Sequence, residues 1–198
     1  MSRFEVTDRT QLKRGAKRGS YDKEVIFRIM DEAYVCHVAT QMKGRPLIQP
    51  TLHWRDQEYL YIHGSSKNGL FRALKEGQEA VIAITLLDGL VFAKSAFHHS
   101  VNYRSVMLYG QASTVDEPDQ KRRLLDLMLE KIRVGRSLEA RPPNDTEMKA
   151  TEVLAFKISE VSAKVRTGGP VDDPEDQLLD IWSGVQPMSL TLGELVLE

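Results

Sequence analysis

The chain has 198 residues, 41% of them apolar and 28% charged, which suits one globular domain with its own core and argues against disorder outside the ends. Lys and Arg together number 27 against 28 Asp and Glu, so no global field draws the protein to nucleic acid or to an anionic membrane. A single cysteine, Cys36, excludes an internal disulfide framework and cysteine-rich metal centres and fits a reducing cytosol.

No apolar run approaches the roughly 20 residues of a membrane span, and the start MSRFEVTDRT lacks the apolar core of a signal peptide. A cytoplasmic protein is expected. Residues 1–21 hold Arg3, Arg9, Lys13, Arg14, Lys17 and Arg18 with little apolar periodicity, and they read as a solvated N-terminal arm. A nucleic-acid arm is disfavoured because the rest of the chain adds no basic patch and no aromatic stacking platform.

Asp22 is placed to cap a helix in which Val25, Ile26, Ile29, Met30 and Ala33 follow the helical period. From Tyr34 the period changes to two. YVCHVAT, LIQPTLHW and YLYIHG, separated by the turns KGRP and RDQE, predict a three-strand antiparallel meander. SSKNGLFRALKEG starts with small polar residues, carries Leu70, Phe71 and Leu74 on one side and stops at Gly77, as a short helix does. AVIAITLL and LVFAKSA predict two buried strands joined by a tight hairpin at Asp88-Gly89.

RSVMLYGQASTV predicts a further strand, and DEPDQKRRLLDLMLEKI an amphipathic helix. RVGRSLEARPPNDTE reads as loop, EVLAFKISEVSAKVR as one or two final strands, and GGPVDDPEDQ as a break before LLDIWSGVQP. Six or more short antiparallel strands with flanking helices indicate a mainly β, α+β architecture: a small closed barrel decorated by helices. The single domain is expected over residues 22–187, with 188–198 as a C-terminal tail.

Two stretches hold more polar residues than connectors need. His63, Gly64, Ser65, Ser66 and Lys67 lie where a strand hands over to a helix, and the free N–H groups there, two hydroxyls and a lysine suit a phosphate. The GxxxxGK[ST] spacing of a nucleotide-triphosphate loop is absent, and serines before a helix also serve simply as caps. FHHSVNYRSV is the second stretch. With residues 102–106 extended, Asn102 and Arg104 point to one face, and an arginine there is able to pair with a phosphate.

His98 and His99 are neighbours on an extended chain with no cysteine or carboxylate at ligand spacing, so no metal site is assigned. His37 and His53 sit inside strand patterns and read as hydrogen-bonded barrel histidines. Cys36 reads as a core residue. DDPEDQ lacks the spacing and glycine of an EF-hand, no GxSxG elbow is present, and no catalytic residue is assigned. Polar groups that bind without an acid–base pair of their own suit a cofactor that performs the chemistry.

LIQPTLHW, YLYIHGSSKNGLFRAL, LLDGLVFAKSAFHHSVNYRSVMLYGQA and SAKVRTGGPVDDPEDQLLDIWSGVQP together resemble the flavin-binding split barrels related to pyridoxamine 5'-phosphate oxidase, in the branch that includes the nitroimidazole-resistance proteins. The resemblance spans Gly15 to Pro187. It implies a homodimer with two flavin mononucleotides (FMN) in clefts between the subunits, FAD being the alternative and haem or a deazaflavin rarer ones, with His98 or His99 keeping the haem option open.

Carried over by the resemblance, His63 to Lys67 hold the phosphate and ribityl chain, and Thr51, Leu52 and His53 present backbone to the isoalloxazine edge. Ser95, His99, Asn102, Tyr103, Arg104 and Ser105 complete the site, and Trp182 stands for the tail aromatic that approaches the flavin. The oxidases carry an Arg-x-His near the C-terminus, whereas no arginine or histidine follows Arg166 here, so oxidation of pyridoxamine 5'-phosphate is not expected. The function expected is a flavin-dependent oxidoreductase acting on a small molecule such as a nitroaromatic or quinone-like compound. A flavin store or sensor without turnover is the alternative.

Overall fold

The computed structural model describes residues 2–197. Among them, nine strands form one sheet in the order β1-β8-β6-β7-β4-β3-β2-β5-β9, and an additional β5–β6 pairing closes it into a barrel. The strands are β1 Gly19–Ser20, β2 Val35–Met42, β3 Arg45–Asp56, β4 Tyr59–Ser65, β5 Glu79–Phe92, β6 Ser100–Thr114, β7 Thr151–Lys157, β8 Glu160–Arg166 and β9 Gly184–Pro187. The helices are α1 Lys23–Glu32, α2 Gly69–Lys75, α3 Pro118–Ile132, α4 Arg136–Glu139 and α5 Asp145–Ala150. One edge of β6 is shared, since residues 103–109 pair with β8 and residues 112–114 with β7. That sharing splits the barrel.

The β2–β3–β4 meander lies where alternation places it, with tight turns whose Lys43 and Gln57 adopt positive φ. Asp22 caps α1 by accepting from Glu24 N, and α1 buries Ile26, Ile29 and Met30 in the barrel mouth. α2, capped by Asn68, adds Leu70, Phe71 and Leu74 to the same core, which β5, β6 and β7 line with Ile82, Ile84, Val106, Leu108, Leu154 and Phe156. Each such side chain contributes about 1.5–3 kcal/mol on burial. A second cluster of Trp54, Tyr61, Leu124 and Val153 seats α3 on the outside of β3, β4 and β7.

Three expectations are corrected. Asp88-Gly89 is not a hairpin: β5 runs through it as one 14-residue strand, with a register shift between Leu87 and Gly89 against β6. Pairing on both sides, to β6 and to β9 at Gly89↔Pro187, outweighs the local turn preference and leaves a bulge. Of the expected arm 1–21, the described residues 2–21 are not free, because Phe4 and Thr10 are buried and β1 pairs with β8. Two short helices, α4 and α5, interrupt the expected loop after α3. α5 carries a reciprocal capping box between Asn144 and Glu147.

Candidate functional site

The expected site residues fall into three groups. The first is the β4–α2 junction. Gly64 packs so closely on α2 that a Cβ there would lie 2.6 Å from the Phe71 ring, so the helix start is drawn against the strand end. Ser65 Oγ accepts from Lys67 N (3.2 Å), and Asn68 donates to Gln49 Oε1 (3.1 Å) on β3. Ser65, Ser66 and Lys67 are exposed, and the Lys67 ammonium meets no carboxylate within salt-bridge distance among the described residues. Arg72, which the sequence reading did not single out, donates to the Lys67 carbonyl (3.3 Å) and adds a second cation to this corner.

His63 turns to the α3 side of β4, in phase with Tyr61 and away from the barrel core. Its ring lies 5.9 Å from Trp54, its Nδ1 is buried without a partner, and burial lowers its pKa. Thr51 and Leu52 are half-buried, while His53 is fully buried. His53 Nε2 lies 2.9 Å from the Met30 carbonyl, which only accepts, so Nε2 carries the proton. Burial, with the charge of Lys131 added, pushes the His53 pKa down to about 4. Lys131 Nζ donates to the same carbonyl at 2.9 Å, and burial pushes its own pKa down to about 8. Cys36, buried beside them, has its thiol pushed up to about 12 and offers no thiolate.

The second group lies at the barrel mouth. Asn102 and Arg104 do share a face, as strand alternation requires, and that face is the interior one, in phase with buried Val106 and Leu108. The guanidinium expected to grip a phosphate is already committed. Arg104 Nε and Nη2 donate to Asp88 (2.9 and 2.7 Å), and Nη1 and Nη2 donate to Glu32, the latter at 2.7 Å. This pairing raises the Arg104 pKa and lowers that of Glu32. With both carboxylates held on its guanidinium, Arg104 has no free face for an anion.

Asn102 is a brace for the turn after β8. It donates to the Gly168 carbonyl (3.1 Å) and accepts from Arg166 Nη1 (2.5 Å). Tyr103 and Ser105 face outward on the opposite side of β6, across from Leu87 and Thr85. A cleft of about 640 Å³ runs beside Arg104, lined by Tyr34, Leu86, Asp88, Met188 and Leu190. The register separates it from the β4–α2 junction: Leu86↔Arg104 lies level with Tyr34, whereas Gln49, the partner of Asn68, lies opposite Val38. Four residues of strand are about 13 Å, so within one protomer Lys67 and Arg104 do not serve one phosphate.

The third group joins the β5–β6 loop to the chain after β8. Asp172 Oδ1 accepts from the backbone of Lys94 (2.9 Å) and Ser95 (3.2 Å), and Lys94 Nζ donates to the carbonyls of Gln177 (3.0 Å) and Leu179. Ser95 Oγ caps the turn Ala96–His98 by accepting from Phe97 N, and the Ser95 carbonyl lies 3.1 Å from His99 Nδ1. Phe92 links His99 (centroids 6.1 Å apart) to Trp182 (5.2 Å).

Ser95, His99 and Trp182, 87 positions apart in the chain, thus form one surface patch. The patch also brings carboxylates to histidine, which local spacing did not anticipate. His98 Nε2 lies 3.2 Å from Asp173 Oδ2, and the ligand atoms of His98, Asp173 and Asp176 lie within 4.8 Å of one another.

Comparison with known proteins is consistent with this architecture. The flavocytochrome Anf3 of Azotobacter vinelandii is 38% identical over 97% of this chain and 89% of its own, with a TM-score of 0.93. The FAD and haem binding protein of Mycobacterium smegmatis is 33% identical over 91% of this chain and 89% of its own, with a TM-score of 0.88. A candidate 5-nitroimidazole antibiotic resistance protein of Bacteroides thetaiotaomicron shares the fold at 20% identity and a TM-score of 0.64, covering 74% of this chain and 86% of its own. No curated protein matches the chain. The model of the family described as pyridoxamine 5'-phosphate oxidase matches residues 22–165, from the cap of α1 to the end of β8, and the chain belongs to that family.

Proposed function

We propose that this protein is a dimeric flavin- and haem-binding oxidoreductase. The observation that carries the reading is likeness, above 30% identity and over nearly the whole chain, to two proteins, one named a flavocytochrome and the other an FAD and haem binding protein. The haem, a minor option on sequence alone, becomes the second cofactor. FAD becomes the favoured flavin because one of the two relatives binds it, with FMN the alternative. A bound flavin and haem supply the redox chemistry. The chain supplies phosphate donors at Ser65, Ser66, Lys67 and Arg72, and an aromatic patch with a free imidazole nitrogen at His99.

The outer face of the sheet supports the dimer in this reading. Val35, His37 and Ala39 stand opposite Leu52, Pro50 and Ile48, and Val35, Ile48 and Leu87 are 48, 63 and 41% exposed. A contiguous apolar face of this kind marks an association surface. Among the described residues no helix is long and apolar enough to cross a membrane, and a cytoplasmic oxidoreductase acting on a nitroaromatic or quinone-like acceptor accords with the single buried thiol. The test is to load the protein with FAD, FMN and ferric protoporphyrin and measure the bound ratio by chromatography of the released cofactors, then to follow oxidation of reduced nicotinamide nucleotide. One flavin and one haem per chain, with turnover, are expected. A protein that retains neither cofactor overturns the reading.

A further inference from the structure

Resting on the proposed oxidoreductase function, we infer that a cleft between the turn Ala16–Arg18, α1 and the β6–β8 pair binds the adenosine 2'-phosphate end of a reduced nicotinamide dinucleotide, the electron donor. The cleft has a volume of about 360 Å³, more than a lone phosphate fills and within the range of small-molecule sites. Its floor is apolar: Ile29 is buried, and Val25 and Val165 are half-buried against the core. Its rim carries Lys17 and Arg18 from the turn and Arg28 from α1, and no carboxylate lines it among the described residues.

These three cations are held in place and unspent. β1 pins the turn to the barrel through Gly19↔Lys164 and Ser20↔Ala163, and Ile26, Ile29 and Met30 seat α1. The side chains of Lys17, Arg18 and Arg28 make no hydrogen bond or salt bridge among the described residues, whereas Lys23 on the same helix is held by Glu58. Glu32, one turn along α1 from Arg28, is taken by Arg104. Nothing within the chain neutralises the cleft.

A phosphate monoester carries close to two negative charges and matches three converging cations better than a singly charged diester does. The adenine beside it suits the apolar floor. A nucleic-acid strand would need a track of cations along the surface, and these line one closed corner. Arg104 borders both this cleft and the 640 Å³ one, so a dinucleotide anchored here has the larger cleft for its remaining length. No residue of β2, β3 or β5 lines the smaller cleft apart from that shared wall on β6, which sets it off the face assigned to the dimer.

The experiment titrates the flavin-loaded protein with 2',5'-ADP and with 5'-AMP by calorimetry at low salt, comparing the parent with Arg28→Gln, Arg18→Gln and, as an exposed cation elsewhere, Arg133→Gln. KM and kcat for the reduced dinucleotide with and without the 2'-phosphate are then measured. The parent is expected to bind 2',5'-ADP about tenfold more tightly than 5'-AMP, and the Arg28 and Arg18 variants to lose about that factor. In these variants KM for the phosphorylated donor should rise with kcat and flavin content unchanged, while Arg133→Gln matches the parent. Equal affinity of the parent for the two nucleotides, or unchanged binding in both site variants, overturns the inference. Loss of FAD with retention of FMN in the site variants overturns it in favour of the flavin's own adenylate. A parent that binds 2',5'-ADP through Arg28 and oxidises neither dinucleotide overturns the oxidoreductase reading and leaves the phosphate site standing.

Discussion

Lys67 and Arg104 look alike in the sequence, two cations among polar residues, and the structure gives them opposite employment. Lys67 is exposed beside free hydroxyls, whereas Arg104 is held by Glu32 and Asp88. Removing Lys67 should therefore cost about 2–3 kcal/mol of flavin binding, a factor of roughly 30–150, and Lys67→Ala should weaken FMN or FAD more than riboflavin, which has no phosphate. Arg104→Ala should leave flavin affinity within about threefold and lower unfolding stability by about 1–3 kcal/mol, because it strands two carboxylates at the mouth of the barrel. Isothermal titration and urea unfolding of the two variants check both statements. Equal losses of flavin affinity would contradict the division of roles.

His53 makes stability depend on pH. Its pKa is near 6.5 unfolded and about 4 folded, so the unfolded chain binds the extra proton first as acid is added. The contribution is full above pH 6.5 and is lost as pH falls toward 4, by at most about 3 kcal/mol. His53→Gln, which keeps a donor for the Met30 carbonyl, should show a flatter decline of the urea midpoint over that window than the parent. The carboxylates titrate alike in both proteins, so the difference between the curves isolates His53. Parallel curves would contradict the assignment.

At the scale of elements, the meander, α1 and α2 were legible because each carries its own period and its own punctuation: alternation in VCHVAT, the Asp22 cap, the Gly77 stop. The Asp88-Gly89 error shows where such local signals fail. A turn-forming pair inside a strand paired on both edges becomes a bulge, and nothing within ten residues announces that β9, almost 100 positions later, is the second partner. The Arg104 triad was hidden for the same reason, since its carboxylates lie 72 and 16 positions away. The capping box of α5 was readable: Asn144 followed three places later by Glu147 is a helix start.

Gly89 gives the bulge a test. A Cβ there would sit 2.9 Å from the Gln186 carbonyl, closer than backbone yields cheaply. Gly89→Ala should detach β9 and expose the chain beyond Ser183 to limited proteolysis while the barrel remains folded. A tail as protease-resistant as the parent's would show that β9 does not depend on this close approach.

For the whole molecule, the outer face of β2, β3 and β5 decides whether one chain suffices. The cationic and aromatic corners are exposed on a single protomer, and the proposed dimer would have to cover them with its second copy. A stable dimer buries about 1,200–2,000 Å² in total, within reach of such a face. Ile48→Arg places a charge at its most exposed aliphatic position and should shift sedimentation at low micromolar concentration from dimer to monomer, with loss of flavin. A flavin-loaded monomer would contradict a cofactor site completed by the partner.

The absorption spectrum of the protein after reconstitution with FAD and ferric protoporphyrin and removal of the excess tests the central claim most directly. The account predicts flavin bands and a Soret band in one dimeric species, close to one of each cofactor per chain. A spectrum free of both sets of bands would contradict it.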